Sequence, residues 1–278
     1  MDIFAQLAAP ALAGIFVGVM SGLLGVGGGT IMVPIFRLAF GMSPIASTAT
    51  SLFAIIPTSI SGVASHMHAK TCIPKLGVAL GVGGALTSPI GVWLASISPD
   101  WAVILVAALV IGFSAYKMFK KALKAPAARS GAGKAAAGKA AGKATDIPDQ
   151  PSLTRTQYLQ GAGIGLVAGL ASGYVGVGGG FIMVPMMLAI LSIPMTQASG
   201  TSLIAIMILA IPGVIEQGIL GNIDYMAGIA VVVGTIPGAV LGARLIRVIP
   251  ERQLRFLFGC FLLVAAVMLM LNEFGILG

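Results

Sequence analysis

The chain has little of almost every side chain that does acid–base, thiol or metal chemistry. Its 278 residues include eight Asp and Glu, two His and two Cys. Cys72 and Cys260 are too few for a disulfide framework or a thiolate metal cluster and read as small apolar residues. His66 and His68 stand at the end of an apolar run, which argues against metal binding or a proton relay at depth. An intramembrane enzyme would need a Ser/His, Asp/Asp or metal constellation within the apolar runs, and none is legible. No nucleotide-binding motif is present, so direct drive by ATP is not expected, nor is a cofactor. Charged residues make up 9% of the chain, too few to cover the surface of a soluble domain of this length.

What the chain has instead is apolar sequence, 58% of it, in runs that recur along nearly its whole length. That is the pattern of an all-α polytopic membrane protein. Barrel strands would alternate apolar and polar residues, and these runs do not. The first run, from about Ile3 to Leu24, has no basic start and no A-x-A cleavage site, so it reads as a retained helix and not a signal peptide.

The chain also repeats itself. Residues 21–34 read SGLLGVGGGTIMVP and residues 172–185 read SGYVGVGGGFIMVP, at an offset of 151 that persists without a gap. Gly14 and Gly18 fall on Gly165 and Gly169, Thr50-Ser51-Leu52 on Thr201-Ser202-Leu203, Gly91 on Gly242 and Pro99 on Pro250. Two homologous halves with a glycine cluster in apolar sequence are the signature of a transporter built on an internal repeat.

Each half divides into five apolar segments, about 3–24, 30–41, 44–65, 74–97 and 101–119, then 158–175, 181–191, 196–215, 225–246 and 253–271. Spanning the hydrocarbon takes about 20 residues, so the second segment of each half reaches roughly halfway. The first two segments of each half either both cross or form a hairpin that turns back at the glycines. The organisation expected is a first membrane repeat over 1–120, a basic flexible linker over 121–155 and a second repeat over 156–278. The linker is rich in Gly, Ala and Lys and offers no apolar face. Its lysines read as a solvated cytoplasmic loop in preference to a nucleic-acid or lipid site.

Charge sets the expected topology. Nine of the sixteen basic residues lie between Lys117 and Arg155, which places that stretch in the cytoplasm. Lys70 and Lys75 then lie inside, the loop from Glu216 to Asp224 outside, and Arg244, Arg247, Arg252 and Arg255 inside. Equivalent loops fall on opposite faces. The expected fold is therefore a helical bundle of two inverted-topology repeats with short, glycine-broken helices and both termini periplasmic.

The candidate substrate site sits at the breaks, Gly27, Gly28 and Gly29 in one half and Gly178, Gly179 and Gly180 in the other. Consecutive glycines are poor helix formers, by about 1 kcal/mol each, and their amides need a partner or a watery cavity inside a bilayer. The short helix that follows begins at Thr30 or Phe181, and a helix N-terminus suits a small oxyanion. The other reading of these glycines is close helix packing, which Gly14 and Gly18 are expected to serve. Thr50, Ser51, Thr201, Ser202 and Gln197 open the third segments with hydroxyl and amide groups that either cap the helix or donate to an anion.

With these residues the chain resembles the TauE/SafE family of sulfite exporter-like permeases. The likeness rests on the two glycine motifs, Ala49-Thr50-Ser51-Leu52, Gly200-Thr201-Ser202-Leu203, and Gly-Ala-Val-Leu-Gly-Ala-Arg-Leu at 238–245. It covers the chain outside the linker. The resemblance implies an inner-membrane secondary carrier that exports small sulfur-containing anions (sulfite, sulfoacetate or related organosulfonates) by alternating access. An anion channel, or an uptake permease for another small organic anion, uses the same features. Glycine-rich outer faces would support a homodimer as well as a monomer.

The topology is tested by replacing Lys70→Cys and Leu220→Cys singly and labelling with a membrane-impermeant maleimide. One site is expected to react in sealed cells and the other only after permeabilisation; reaction of both from one face refutes the inversion.

Overall fold

In a computed structural model, the structure describes residues 3–124, 153–175 and 178–273. All regular structure among them is helical. The first half contributes α1 (Ile3–Leu24), α2 (Gly29–Phe40), α3 (Pro44–His68), α4 (Pro74–Ser96) and α5 (Asp100–Lys124). The second contributes α6 (Arg155–Val175), α7 (Gly180–Met186, continued by a π-turn at Met187–Leu191), α8 (Met195–Ile219), α9 (Tyr225–Leu245) and α10 (Glu251–Glu273). Every expected segment is a helix within a few residues of its expected ends. Four of them, α3, α4, α8 and α9, are long and apolar enough by length and composition to cross a membrane. This is an all-α membrane protein.

The expected linker falls mostly on 125–152, outside the described residues. Its first four residues extend α5 to Lys124. Good helix formers continue the helix there, and Lys117 and Lys120 lie 5.0 and 5.9 Å over the Phe113 and Tyr116 rings one turn back.

The halves interlock by exchanging partners. Helix α1 lies along α9, with Gly14 and Gly18 against the backbone of Val231 and Thr235, Gly22 against Ala239, and Gly234, Gly238 and Gly242 against Ala11, Ile15 and Val19. Both helices advance in the same direction. Helix α4 lies along α6 in the same way, with Gly165, Gly169 and Gly173 against Leu80, Gly84 and Ser88. A Cβ at any of these α1 or α6 glycines would run into a carbonyl oxygen of the partner helix. Lipid tails are as apolar as the helix faces, so such backbone-to-backbone approach supplies the association.

Helices α3 and α8 cross between these pairs in opposite directions, with Leu52 against Gly213 and Leu203 against Gly62. At the edge, Phe119 near the end of α5 meets Phe256 near the start of α10, ring centroids 5.3 Å apart. The glycine contacts recur with the halves exchanged. Thr201 and Ile204 face Gly77, while Thr50 and Phe53 face Gly228. Lys70 and Gly221 both turn the chain through positive φ, as do Gly41 and Ser192. The π-turn after α7 breaks the correspondence. Pro185 cannot explain it, since Pro34 holds the same place in α2, and nothing else in the structure does.

Gly18→Leu forces α1 from α9 and is expected to lower stability by about 1–3 kcal/mol or more. Gly163→Ala, where a Cβ meets nothing within 4 Å, is expected to be neutral or to raise stability by up to about 1 kcal/mol. Thermal denaturation in detergent, followed by size-exclusion recovery, compares the two.

Candidate functional site

The chain leaves α1 at Leu24 and re-enters a helix at Gly29, and three of the four residues between, Gly25, Gly27 and Gly28, cannot be other than glycine without strain. Gly25, Gly27 and Gly28 have φ of 70, 80 and 81°, and Gly178 and Gly179 have 89 and 69°. Side chains rarely adopt this left-handed region. Gly28 and Gly179 are the N-caps of α2 and α7, and neither helix has a side-chain cap. The amides of Gly27, Gly28, Gly29 and Thr30 donate to no acceptor among the described residues, nor do those of Gly178, Gly179 and Phe181. Gly180 N–H is bonded to the Gly178 carbonyl at 2.8 Å.

The two breaks meet. A Cβ on Gly180 would lie 2.6 Å from the Gly25 carbonyl oxygen and 2.8 Å from the Val26 Cα. Ile206 of α8 covers Gly27, and Ile55 of α3 covers Gly178, the two isoleucines being related by the same 151-residue offset. Gly27–Gly29 and Gly178–Gly180 are all buried. Ser21 and Ser172 flank Gly28 and Gly179.

The polar side chains divide by what they hold. Ser202 Oγ lies 2.6 Å from the Gly25 carbonyl oxygen and 2.8 Å from Ser199 O, its one proton shared between the two acceptors, so it touches the first break. Ser51 donates to the Thr48 carbonyl at 3.0 Å. Thr50 Oγ1 instead accepts the Asp224 N–H at 3.0 Å, and Thr201 Oγ1 accepts the Ile73 N–H at 3.0 Å. These are equivalent bonds, each tying a third segment to the loop before the fourth helix of the other half. Four buried polar atoms of this region have no partner among the described residues: Ser21 Oγ, Thr30 Oγ1, Ser199 Oγ and Gln197 Oε1. An unbonded buried hydroxyl costs about 1–3 kcal/mol, which a ligand would offset.

Four residues that matter here carry no signal of their own in the sequence. Ile55 and Ile206 are ordinary members of apolar runs, and only the repeat offset pairs them. Thr30 and Ser21 lie inside the glycine motif but stand out only once their hydroxyls are found unpartnered. His66 is fully buried and not at a free end: its Nε2 donates to the Gly22 carbonyl at 2.9 Å, in the last turn of α1 before the break. Its Nδ1 lies 2.8 Å from Thr71 Oγ1. Cys72 packs beside it in the loop, where burial pushes its thiol up and keeps it protonated. No group of three metal-ligating side chains occurs among the described residues.

The family described as Sulfite exporter TauE/SafE matches residues 10–269. The probable membrane transporter protein YunE of Bacillus subtilis (strain 168) is 25% identical over 268 residues, covering 91% of this chain and 96% of that protein. YdhB of the same organism, also a probable membrane transporter protein, is 27% identical over 243 residues, 86% and 89% of the two chains. YjnA, a third, is 25% identical over 268 residues, 93% and 97%. No solved structure matches the chain.

Thr50→Val and Thr201→Val each orphan a backbone N–H of the opposite half. Each is expected to cost about 1–3 kcal/mol of stability, as read by thermal unfolding of the purified protein.

Proposed function

The chain belongs to the sulfite exporter TauE/SafE family, a family of membrane transporters, and from that premise we propose that it carries small sulfur-containing anions, sulfite or organosulfonates, outward across the inner membrane. The observation that carries this reading is the meeting of the two glycine breaks. At their junction seven main-chain amides and the hydroxyls of Ser21, Thr30 and Ser199 make no bond among the described residues. Inside a bilayer such groups persist where a polar solute or water completes them. All are donors or neutral dipoles and none is a fixed charge, which suits an oxyanion that must also leave.

Of the eleven sequence-derived candidates, the six glycines with Ser51 and Ser202 form the binding surface in this reading. Thr50 and Thr201 hold the two halves in register, and Gln197 supplies an unpartnered amide oxygen at the start of α8. The halves are inverted repeats related by an axis in the membrane plane. The opposite directions of α3 and α8, which are equivalent helices, support that relation. The glycine-locked pairs α1·α9 and α4·α6 move as units, each carrying one break. Rocking one pair against the other about the α3·α8 crossing withdraws Ile206 from Gly27 or Ile55 from Gly178, and this gives alternating access. A channel is the second reading; saturable flux with counter-exchange separates a carrier from it.

Thr30→Val keeps the side-chain shape and removes the orphaned hydroxyl. It is expected to leave the protein folded and at least as stable, and to weaken sulfite binding about ten-fold, the size of one hydrogen bond to a charged group. Gly28→Leu is expected to abolish binding. Unchanged affinity in Thr30→Val, measured by calorimetry with sulfite and sulfoacetate, would remove the N-terminus of α2 from the site.

A further inference from the structure

Away from the glycine breaks, a cavity of about 400 Å3 opens where α3 and α9 end. Ser61, Ser65 and His68 line it from α3, Arg244 from α9, and Arg247 from the turn beyond. The ion pair found among the described residues joins Arg255 to Glu251, so neither Arg244 nor Arg247 has a carboxylate partner there. Ser61 is already committed, donating to the Ile236 carbonyl at 2.9 Å. The pocket is a concave surface with two unpaired guanidinium groups, an imidazole and the Ser65 hydroxyl. Arginine forks match the oxygens of sulfonate, sulfite and phosphate groups, two donors to one anion.

The repeat supplies an internal control. At the 151-residue offset, the opposite end of the bundle has Glu216 in place of Ser65, Ile219 in place of His68, Trp93 in place of Arg244 and Ser96 in place of Arg247. The same backbone is therefore built at that end with an acid and without a base. Topology-setting positive charge does not account for the arginines, because Lys70, Lys75, Arg252 and Arg255 provide it at the same end without lining this cavity.

We propose that the pocket between the ends of α3 and α9 is an anion-capture site, present at one mouth of the transporter only, that holds a small sulfur oxyanion before it reaches the glycine breaks. The identity of the anion and the placement of this mouth in the cytoplasm rest on the function proposed above. A lipid phosphate shares the same chemistry, and the test separates the two sources.

The test places a reporter in the pocket: Ser65→Cys in a chain with Cys72 and Cys260 changed to Ala, reconstituted in phosphatidylcholine vesicles and labelled with an impermeant maleimide. Sulfoacetate, a sulfonate that does not consume maleimide as sulfite would, is expected to slow labelling, from the cytoplasmic face only. Adding Arg244→Gln and Arg247→Gln is expected to raise the half-protecting sulfoacetate concentration about ten-fold, the lower end of what focused charge contributes. Arg244→Lys with Arg247→Lys should retain most of the protection, and raised salt should weaken it. Absence of protection by sulfoacetate in phosphatidylcholine overturns the proposal. So does protection that appears only when phosphatidylglycerol is included, which would assign the pocket to a lipid headgroup. Protection at Ser65→Cys in a protein that transports neither sulfite nor sulfoacetate would leave the pocket standing and overturn the proposed function instead.

Discussion

A main-chain amide in the hydrocarbon of a membrane must find a hydrogen-bond acceptor, and this chain interrupts its helices twice where acceptors are scarce. Much of the architecture follows from making those interruptions tolerable. The breaks are brought face to face, so that Gly180 rests on the Gly25 carbonyl and Val26. Ser202 reaches across from the opposite half to satisfy that same carbonyl. His66 ties down the Gly22 carbonyl just before the chain leaves α1. Carbonyls are thus provided for, while the amides of Gly27 to Thr30 are left open. That imbalance makes the junction a donor surface, the polarity the proposed function calls for.

Holding two breaks in contact requires the helices that lead into them to be placed within tenths of an ångström. The glycine ladder does this. Along α1 and α6 every fourth residue is a glycine at the closest approach to the partner, so the spacing is set by backbone and not by flexible side chains. The ladder ends at Gly22 and Gly173, and the turn into the break follows within a few residues. Packing and site are therefore not alternative explanations of the glycines. Gly14, Gly18 and Gly22 serve the approach of helices; Gly25, Gly27 and Gly28 serve a left-handed backbone that approach makes possible.

The number and limits of the helices were legible because each is written twice, and a boundary weak in one half is reinforced by the other. The short second helices were legible from their length alone. The π-turn at Met187–Leu191 was not, since one half lacks it and the prolines do not distinguish the halves. Thr50 and Thr201 show the limit differently. Their hydroxyls read in isolation as helix caps or anion donors, and each accepts a backbone amide 174 and 128 residues away in sequence, respectively. A bond of that separation leaves no local pattern. Ile55 and Ile206 were invisible for the opposite reason: an isoleucine in an apolar run carries no information until its contact is known.

If the chain works as the proposed carrier with equivalent halves, it faces a constraint on direction. Rocking between two related arrangements costs nearly the same either way, and binding at one mouth alters both entry and return through that mouth. The unequal charge of the two ends, Arg244 and Arg247 against Trp93 and Ser96, can therefore change the concentration at which one face saturates, but not the sign of net flow. For an anion moving alone, that sign comes from the concentration gradient and the membrane potential. An inside-negative potential pushes each negative charge outward with about 2.3 kcal/mol per 100 mV. No intramembrane carboxylate is required for that, which fits a chain whose central junction is built from amides and hydroxyls. In the proposed function, export is then a consequence of the charge of the cargo, and the protein contributes a route that admits it.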